Sequence, residues 1–593
     1  MCGIAGYITD NKVSKKDICL MTSVLHHRGP DGEGHYYGNG FAFGHTRLSI
    51  VDLTDAGSQP MHYLDRYVIT YNGEIYNHRE LRIELVGAGY SFTSNTDTEV
   101  IMAAYDYWGV SCVEKFNGMW AMAIYDKKTE EFFLSRDRFG IKPFYYYQED
   151  GRFVFASEVK AIMQCVESIR PNDKYLEQYL KQGPREYGTE TAFDGVLRFP
   201  SSSYFLGKAT ELYSKFETIK YWKLEANLRA EVFCTNRAKK LAETYYELLS
   251  DAVSIRLRAD VQVGSALSGG LDSSSIVYLV NKQLKKLGRK NLQKTFSSVY
   301  KTKGTEDCDE SKFINLLADD LNVESYQIEP YAGNIPEEHL KMLWNMETPP
   351  ESTCMSGWYT FKKVKEEGVT VTLDGQGADE QLAGYLYYVP TYLLSISLLD
   401  YYKEFKRFWR IPGIKRQLLL SIPLVHVKFF MGDTILSKLV YFVKKRKVHT
   451  NLNKQLEESI QTSLSTLIHY SDHVSMGHSI ESRMPFMDYR LVEFLASVPA
   501  CYKMHNGWTK YLARLAFDGK LPDDIVWRVD KLGWEIPEKH WFSGPLASWL
   551  GSELNEKELD VKNKTKNPHQ LKTMIRMLNI KRMREMFFTE SER

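Results

Sequence analysis

The chain has 593 residues, too many for one hydrophobic core, so two large domains are expected. A formal net charge of +1 gives no global pull toward nucleic acid or membranes, and 43% hydrophobic with 25% charged residues is ordinary for a soluble globular protein. The eight cysteines are scattered with no C-x-x-C pair, which speaks against a zinc or disulfide framework and for reduced thiols in a cytoplasmic protein.

The chain opens Met1-Cys2-Gly3-Ile4-Ala5-Gly6, with no basic and apolar leader pattern. Once the initiator methionine is removed, Cys2 carries a thiol and a free α-amine on one residue. An unperturbed thiol titrates near ~8.5 and an α-amine near ~7.7–8.0, so the amine accepts the proton the thiol loses. Residues 1–200 read as short strands between Gly, Asn and Asp turns, at 41–44, 67–71, 119–125, 132–135, 144–147 and 153–156. Helical periods cover 14–25, 79–88 and 97–108, the last with a capped start at Thr96-Asp97-Thr98-Glu99. The fold class of this part is an α+β sandwich.

Four polar runs stand out there: His27-Arg28-Gly29-Pro30-Asp31-Gly32, Arg47-Leu48-Ser49-Ile50-Val51-Asp52, Asn72-Gly73-Glu74-Ile75-Tyr76-Asn77 and Ser94-Asn95-Thr96-Asp97. A thiolate attacking an amide needs donors where the oxyanion forms, and an Asn side chain beside a Gly N–H supplies two. A glutamine substrate needs a cation for its carboxylate and an anion for its ammonium, which Arg47 and Asp97 supply. Taken singly, each has a plainer reading: a hairpin turn at Asn72-Gly73, a helix cap at Asp97, a surface ion pair at Arg47.

Together, these runs resemble class II glutamine amidotransferase domains in order and spacing, as do Phe116-Asn117-Gly118, Arg136-Asp137-Arg138-Phe139-Gly140 and Ala156-Ser157-Glu158. The resemblance implies an N-terminal-nucleophile glutaminase with Cys2 as nucleophile and Asn72 and Gly73 as oxyanion donors. It implies glutamine binding by Arg47, Ile50, Val51, Asn72, Gly73, Glu74 and Asp97.

The pattern loosens between 200 and 238, and a helix is expected over 238–257. A strand at 261–267 then enters Ser268-Gly269-Gly270-Leu271-Asp272-Ser273-Ser274 and a helix over 275–287. Strand, Gly-rich loop and helix make a phosphate cradle, but without the Gly-Lys-Ser/Thr of a Walker A loop. Strands at 295–300 and 369–374 follow, the second ending in Asp374-Gly375-Gln376-Gly377-Ala378-Asp379-Glu380, and the alternation predicts a parallel α/β sheet. Acids in a Gly-rich loop at a strand's end suit Mg²⁺, which takes one or two carboxylates plus phosphate oxygens; Asp379 and Glu380 are the candidates. Lys531, in Lys531-Leu532-Gly533-Trp534, is a candidate cation for the α-phosphate.

S-G-G-x-D-S-S resembles the pyrophosphate loop of N-type ATP pyrophosphatases. With the run from Ser475 to Asp488, the chain resembles glutamine-hydrolysing asparagine synthetases from Cys2 to about residue 545. That resemblance implies a glutaminase domain at 1–210, a connector at 211–237 and a synthetase domain at 238–593, with a basic helical insertion at 386–465. It implies ATP and Mg²⁺ as cofactors, aspartate as acceptor, and β-aspartyl-AMP amidated by ammonia from glutamine. ATP and pyrophosphate would meet Ala266, Ser268, Gly269, Gly270, Leu271, Asp272, Ser273, Ser274, Ser298, Val299, Asp374, Gly375 and Lys531. The acceptor would meet Gln376, Glu481 and Arg483, and the metal Asp272 and Asp379.

The loop departs from the Ser-Gly-Glu of well-known asparagine synthetases: Gln376 cannot act as a base. Another carboxylate acceptor, such as a uronic acid or a natural-product acid, and a non-catalytic relative are therefore alternatives, with Cys2, Asn72 and the 268–274 loop speaking against the last. From 403 to 454 there are 13 Lys and Arg against 2 acids, a net +11 with apolar residues interleaved. That segment reads either as a solvated helical insertion or as a contact for an anionic surface. A homodimer is a compatible assembly. Neither 385–402 nor 417–431 is long and apolar enough to span a membrane.

Overall fold

The computed structural model describes residues 2–286, 288, 293–411, 413–433, 435, 436, 438, 442, 449–529 and 536–588. Its first part holds two six-stranded sheets. One contains β1 (Gly3–Thr9), β2 (Gly32–Gly38), β3 (Phe41–Arg47), β8 (Tyr145–Glu149), β9 (Arg152–Ala156) and β10 (Val196–Arg198), in the order β10-β8-β9-β1-β3-β2. The other contains β4 (Met61–Tyr63), β5 (Tyr67–Ile75), β6 (Gly118–Asp126), β7 (Glu131–Arg136), β11 (Ser203–Lys208) and β12 (Ile219–Lys220), in the order β12-β11-β7-β6-β5-β4.

Side chains alternate across each strand. Ile4 and Ile8 of β1 meet Val68, Ala121 and Leu134 between the sheets, while Ala5 and Tyr7 point outward to helix Lys15–Ser23. Helices His78–Gly87 and Asp97–Trp108 cover the other sheet in the same way. The result is the expected α+β sandwich with both sheets covered, which is why β1 is apolar on both faces. A side chain at Gly6 would collide with the Phe155 ring, so the crossing of β1 and β9 needs glycine there.

Three boundaries differ from the sequence reading. β5 runs through Ile75, because its ladder to β6 extends to Ile75↔Gly118; Asn72-Gly73 is therefore inside a strand and not a turn after it. Thr96, not Asp97, caps its helix, its side chain accepting from the Glu99 N–H at 3.2 Å. β12 pairs with β11 as far as Lys220, so the first part's sheet continues past residue 210 before the irregular stretch that leads to helix Thr235–Arg256.

The second part is built on a parallel sheet of β13 (Val263–Ala266), β14 (Lys294–Ser298), β15 (Glu324–Ile328), β16 (Val371–Leu373) and β17 (Glu481–Arg483), ordered β15-β14-β13-β16-β17. β15 and β17 were not anticipated. Helices 389–395, 398–408, 415–431 and 452–461 form the insertion around its own core of Tyr392, Phe408, Leu418 and Leu456. Among the described residues no helix is long and apolar enough to cross a membrane. The last helix, Pro568–Phe587, returns to the first sandwich, where Met583, Phe587 and Phe588 pack with Ile18 and Tyr175.

Candidate active sites on either side of a shared strand

The pocket beside Cys2 is lined by Cys2, Arg47, Ile50, Val51, Gly73, Glu74 and Asp97, all expected there, and also by Leu48, Gln59, Tyr71 and Glu481. β1 and β5 belong to different sheets, and the Cys2 N–H donates across them to Asn72 Oδ1 at 3.0 Å. That bond fixes the amide so that Asn72 Nδ2 is turned away from Cys2 N; Nδ2 is buried with no hydrogen-bond partner. An orphaned buried donor costs about 1–3 kcal/mol unless a ligand completes it. An oxyanion formed by attack from Cys2 Sγ is a group that would do so. A side chain at Gly73 would meet the Met119 carbonyl oxygen at 2.1 Å, so only glycine fits that wall.

Burial pushes the Cys2 thiol up, and the Leu48 N–H and the Arg47 guanidinium pull it back. Arg47 is not a surface ion pair. Its Nη1 donates to Thr54 O at 2.7 Å and its Nη2 to Asp52 O, which braces the guanidinium at the pocket wall. Asp52 is itself locked: it accepts from the Thr54 hydroxyl at 2.6 Å and from Asn95 N at 2.9 Å, and these bonds hold its carboxyl low. Asp97 Oδ2 accepts from the Tyr71 hydroxyl at 2.8 Å and Ile75 N at 2.9 Å. Burial nonetheless pushes Asp97 up, and it pushes Glu74 well above the carboxylate range.

Arg483 is the cation that faces Glu74, and it is shared. Its Nε donates to Glu481, its Nη1 to the carbonyls of Arg256 and Arg258, and its Nη2 reaches Glu74 Oε2 at 3.2 Å. Against the burial penalty, Arg483 draws Glu481 down to about 2, so Glu481 holds the charge and Glu74 is left short of one. Glu74 Oε1 is buried without a partner. An incoming ammonium would meet that deficit.

β17 therefore does something the sequence reading did not foresee. Glu481 and Arg483 were expected at the acceptor site; they face the Cys2 pocket and Glu74 instead. Ser482, between them on the strand, points the other way and donates to Asp374 Oδ2. Three residues form one wall of both sites, because alternate side chains of a strand leave on opposite faces.

On the far side, β13 leads through 267–270 into helix Leu271–Lys286, which begins inside the loop motif rather than at 275. Ser273 folds its hydroxyl back to accept from Ser268 N at 3.1 Å, and Gly269 takes φ +70°, which leaves the loop backbone around the helix's N-terminus. Ser274 Oγ is buried and unpartnered. Gly375 approaches this loop so closely that a side chain there would lie 3.2 Å from Ser273 N. Burial raises Asp374 to about 6, against bonds from Ser482, Thr372 and Ala266 N. Gln376 is half-buried in the turn after β16.

The residue the sequence reading missed is Lys510. Its Nζ lies 2.5 Å from both Asp272 Oδ2 and Asp379 Oδ1, bridging the two acids proposed for the metal. Lys510 is buried, at φ 52° immediately before helix Tyr511–Phe517. Lys531 lies outside the described residues. Glu380, raised to about 7 by burial and Asp379, accepts from the Tyr385 hydroxyl at 3.0 Å. Ser298 is turned from the loop: its hydroxyl donates to Ser356 O at 3.0 Å, and Val299 is packed in the core. Two carboxylates beside a phosphate-type loop match the small protein share of a Mg²⁺ shell, and among the described residues no group of three or more His, Cys, Asp or Glu is arranged to hold a metal by itself.

The remaining first-domain motifs meet at the boundary between the two parts. Arg28, fully buried, donates to Cys2 O at 3.2 Å, Glu158 Oε1 at 2.7 Å and Asp472 Oδ2 at 2.8 Å. Asp472 also pairs with Lys142 at 3.2 Å. Asn117 Nδ2 and Arg256 Nη1 both donate to Asp488 Oδ2 at 2.9 Å. These pairs tie the halves together by hydrogen-bonded charge.

Comparison with known proteins agrees with both halves. A family described as glutamine amidotransferase domain matches residues 1–222, and one described as asparagine synthase matches 244–586. Asparagine synthetase (glutamine-hydrolyzing) 1 of Bacillus subtilis is 30% identical, over 94% of this chain and 91% of its own length. A putative asparagine synthetase (glutamine-hydrolyzing) 2 of Methanocaldococcus jannaschii is 35% identical over 70% of this chain and 80% of its own. Amidase chry2 of Gibberella zeae is 26% identical over 93% and 91%. The chain belongs to the glutamine-hydrolysing asparagine synthetase family.

Proposed function

We propose that the protein is a glutamine-dependent asparagine synthetase with two coupled sites. At the first, cleavage of Met1 frees the Cys2 amine, which takes the thiol proton. The thiolate attacks the glutamine side-chain carbonyl, Asn72 Nδ2 and the Gly73 N–H receive the oxyanion, and ammonia leaves as the acyl-thioester forms. Water then releases glutamate. Arg47 holds the glutamine carboxylate, and Glu74 and Asp97 its ammonium.

At the second site the aspartate β-carboxylate attacks the α-phosphate of ATP, pyrophosphate leaves, and ammonia displaces AMP from β-aspartyl-AMP. The 268–274 loop holds the pyrophosphate. Lys510 turns from Asp272 and Asp379 to the phosphates, and those two acids would hold Mg²⁺, which would neutralise phosphate charge when bound. Activation is needed because a carboxylate does not condense with ammonia unless it has a better leaving group. The observation that carries this reading is the Cys2–Asn72 pairing with Asn72 Nδ2 left open, in a chain whose second half carries a phosphate-type loop.

Gln376 and the likeness to a protein named an amidase support a second reading, with the same chemistry on another carboxylate. One experiment separates them. The purified full chain is given glutamine, Mg-ATP and a panel of carboxylates including aspartate and uronic acids. The expected outcome is AMP, pyrophosphate and asparagine with aspartate. AMP formed only with another acid would establish the second reading, and ADP with phosphate would overturn both.

A further inference from the structure

The insertion carries a surface that neither active site uses. Helix Leu398–Phe408 presents Leu399, 78% exposed, and Tyr402 outward, followed by Lys403, Lys406 and Arg410. Helix Lys415–Met431 buries Leu418, Ser421 and Val425 in the insertion's core. It exposes Leu419, Leu420 and Ile422 in its first half and Phe429 and Phe430 near its end, Phe429 at 60% and Phe430 at 75%. Its first turn adds Lys415 and Arg416, both exposed. The Tyr402 hydroxyl and His426 Nε2 lie 3.0 Å apart, which joins the outward faces of the two helices into one patch.

The acids offset only part of its charge: Asp400, Glu404 and Asp433 pair with Lys403, Arg407 and Lys428. Of the two within 403–454, Glu404 is buried and accepts from Asn506 N and Gly507 N, each at 3.0 Å, while Asp433 pairs with Lys428 at 3.1 Å. Asp400, on the first helix, is held at its N-terminus by Ser397 and lies 3.8 Å from Lys403, both on the solvent side. Among the described residues, Lys403, Lys406, Arg410, Lys415 and Arg416 are exposed around these aromatic and aliphatic side chains, within a segment of net +11 in a chain whose total is +1. A solvated helix would carry the charge without the apolar residues, and a buried interface would carry the apolar residues with fewer lysines. Long cations around an apolar tip match the headgroup region of an anionic bilayer, where charge attracts and rings enter the acyl boundary.

We propose that this patch docks the enzyme peripherally on an anionic phospholipid membrane, with Phe429 and Phe430 entering the interface and Lys403, Lys406, Arg410, Lys415 and Arg416 meeting headgroups. No helix spans the membrane in this arrangement.

The test is cosedimentation of the full-length protein with vesicles of phosphatidylcholine alone or with phosphatidylglycerol added, at low and high salt. Expected is at least about 10-fold tighter binding to the anionic vesicles, weakened by salt as screening requires. F429S/F430S and K415E/R416E are each expected to lose about 10-fold of that binding while keeping glutaminase activity, which reports on folding. Equal binding to neutral vesicles, or none, overturns the proposal. So does salt-sensitive binding that F429S/F430S leaves unchanged, since the rings would then not enter. A fall in solution mass on F429S/F430S would assign the patch to a second copy, and retention on an acidic polysaccharide but not on vesicles would assign it to a glycan; either result overturns membrane docking.

Discussion

The two sites differ in how their charges are satisfied before substrate arrives. Beside Cys2, polar groups are buried and left incomplete: Asn72 Nδ2 and Glu74 Oε1 have no partner. Beside the 268–274 loop Ser274 Oγ and Asp374 Oδ1 are also unpartnered, but the charges at the loop mouth have paired with one another, Lys510 bridging Asp272 and Asp379. The first site is pre-organised, so ligand groups fill vacancies without breaking an internal ion pair. The second is self-closed, so ATP must replace an internal ion pair with its own phosphates and metal. Binding at the second site therefore includes a rearrangement that the first does not need.

Breaking each site alone tests that contrast. Cys2→Ala is expected to show the largest effect, removing glutamine-dependent synthesis altogether while ammonium-dependent synthesis persists; loss of both in an enzyme assay would deny separate sites. Lys510→Met is expected to be the next largest. It should lower synthesis by about 10²–10³-fold, the scale of removing one charge-stabilising group, and leave glutamine hydrolysis in place. If Lys510 only held two acids apart, AMP formation would fall no further than the drop in thermal stability explains.

The smallest expected effect concerns protons at the first site. Glu74 has its native carboxyl raised well above the ordinary range by burial, so the empty pocket holds a proton there over a wider range of pH. A glutamine ammonium favours the ionised form, so binding releases that proton, and affinity should rise as pH is raised from mildly acidic to neutral. The sign for stability is opposite: between the ordinary and the raised value, the native state binds a proton the unfolded chain has lost, so raising pH costs stability. Calorimetry of glutamine binding to the Cys2→Ala variant, in buffers of different ionisation heat, reads the proton directly. Glu74→Gln should abolish the release, and release that persists would place it elsewhere.

Much of the first site was legible in the chain. Arg47, Asn72-Gly73, Glu74 and Asp97 sit in short polar runs between apolar strands and Cys2 immediately before the first strand, and the fold brings them together, Asn72 through its bond with Cys2. The 268–274 loop was legible for a similar reason, since glycine and hydroxyls crowd a strand-to-helix junction. Lys510 was not, because Trp508-Thr509-Lys510-Tyr511 has no periodicity or glycine to mark a bend, and its role comes from acids 238 and 131 residues upstream. β17 was hidden too. Glu-Ser-Arg carries no strand propensity, and it forms an edge strand only because β16 offers a ladder and two sites need polar groups. The return of helix Pro568–Phe587 to the first sandwich depends on surface complementarity, which no local pattern encodes.

The placement of β17 bears on modularity. The glutaminase fold is contiguous in sequence, yet the wall that balances its charge belongs to the other half. Arg483 faces Glu74, Glu481 lines the Cys2 pocket, and Asp472 holds the guanidinium that supports the Cys2 carbonyl. A first half separated from the second would keep its nucleophile and its sheets, but Glu74 would lose its cation and Arg28 one of its two acids. The catalytic unit is thus larger than the folding unit, and the boundary between the two enzymes runs through the middle of a three-residue strand.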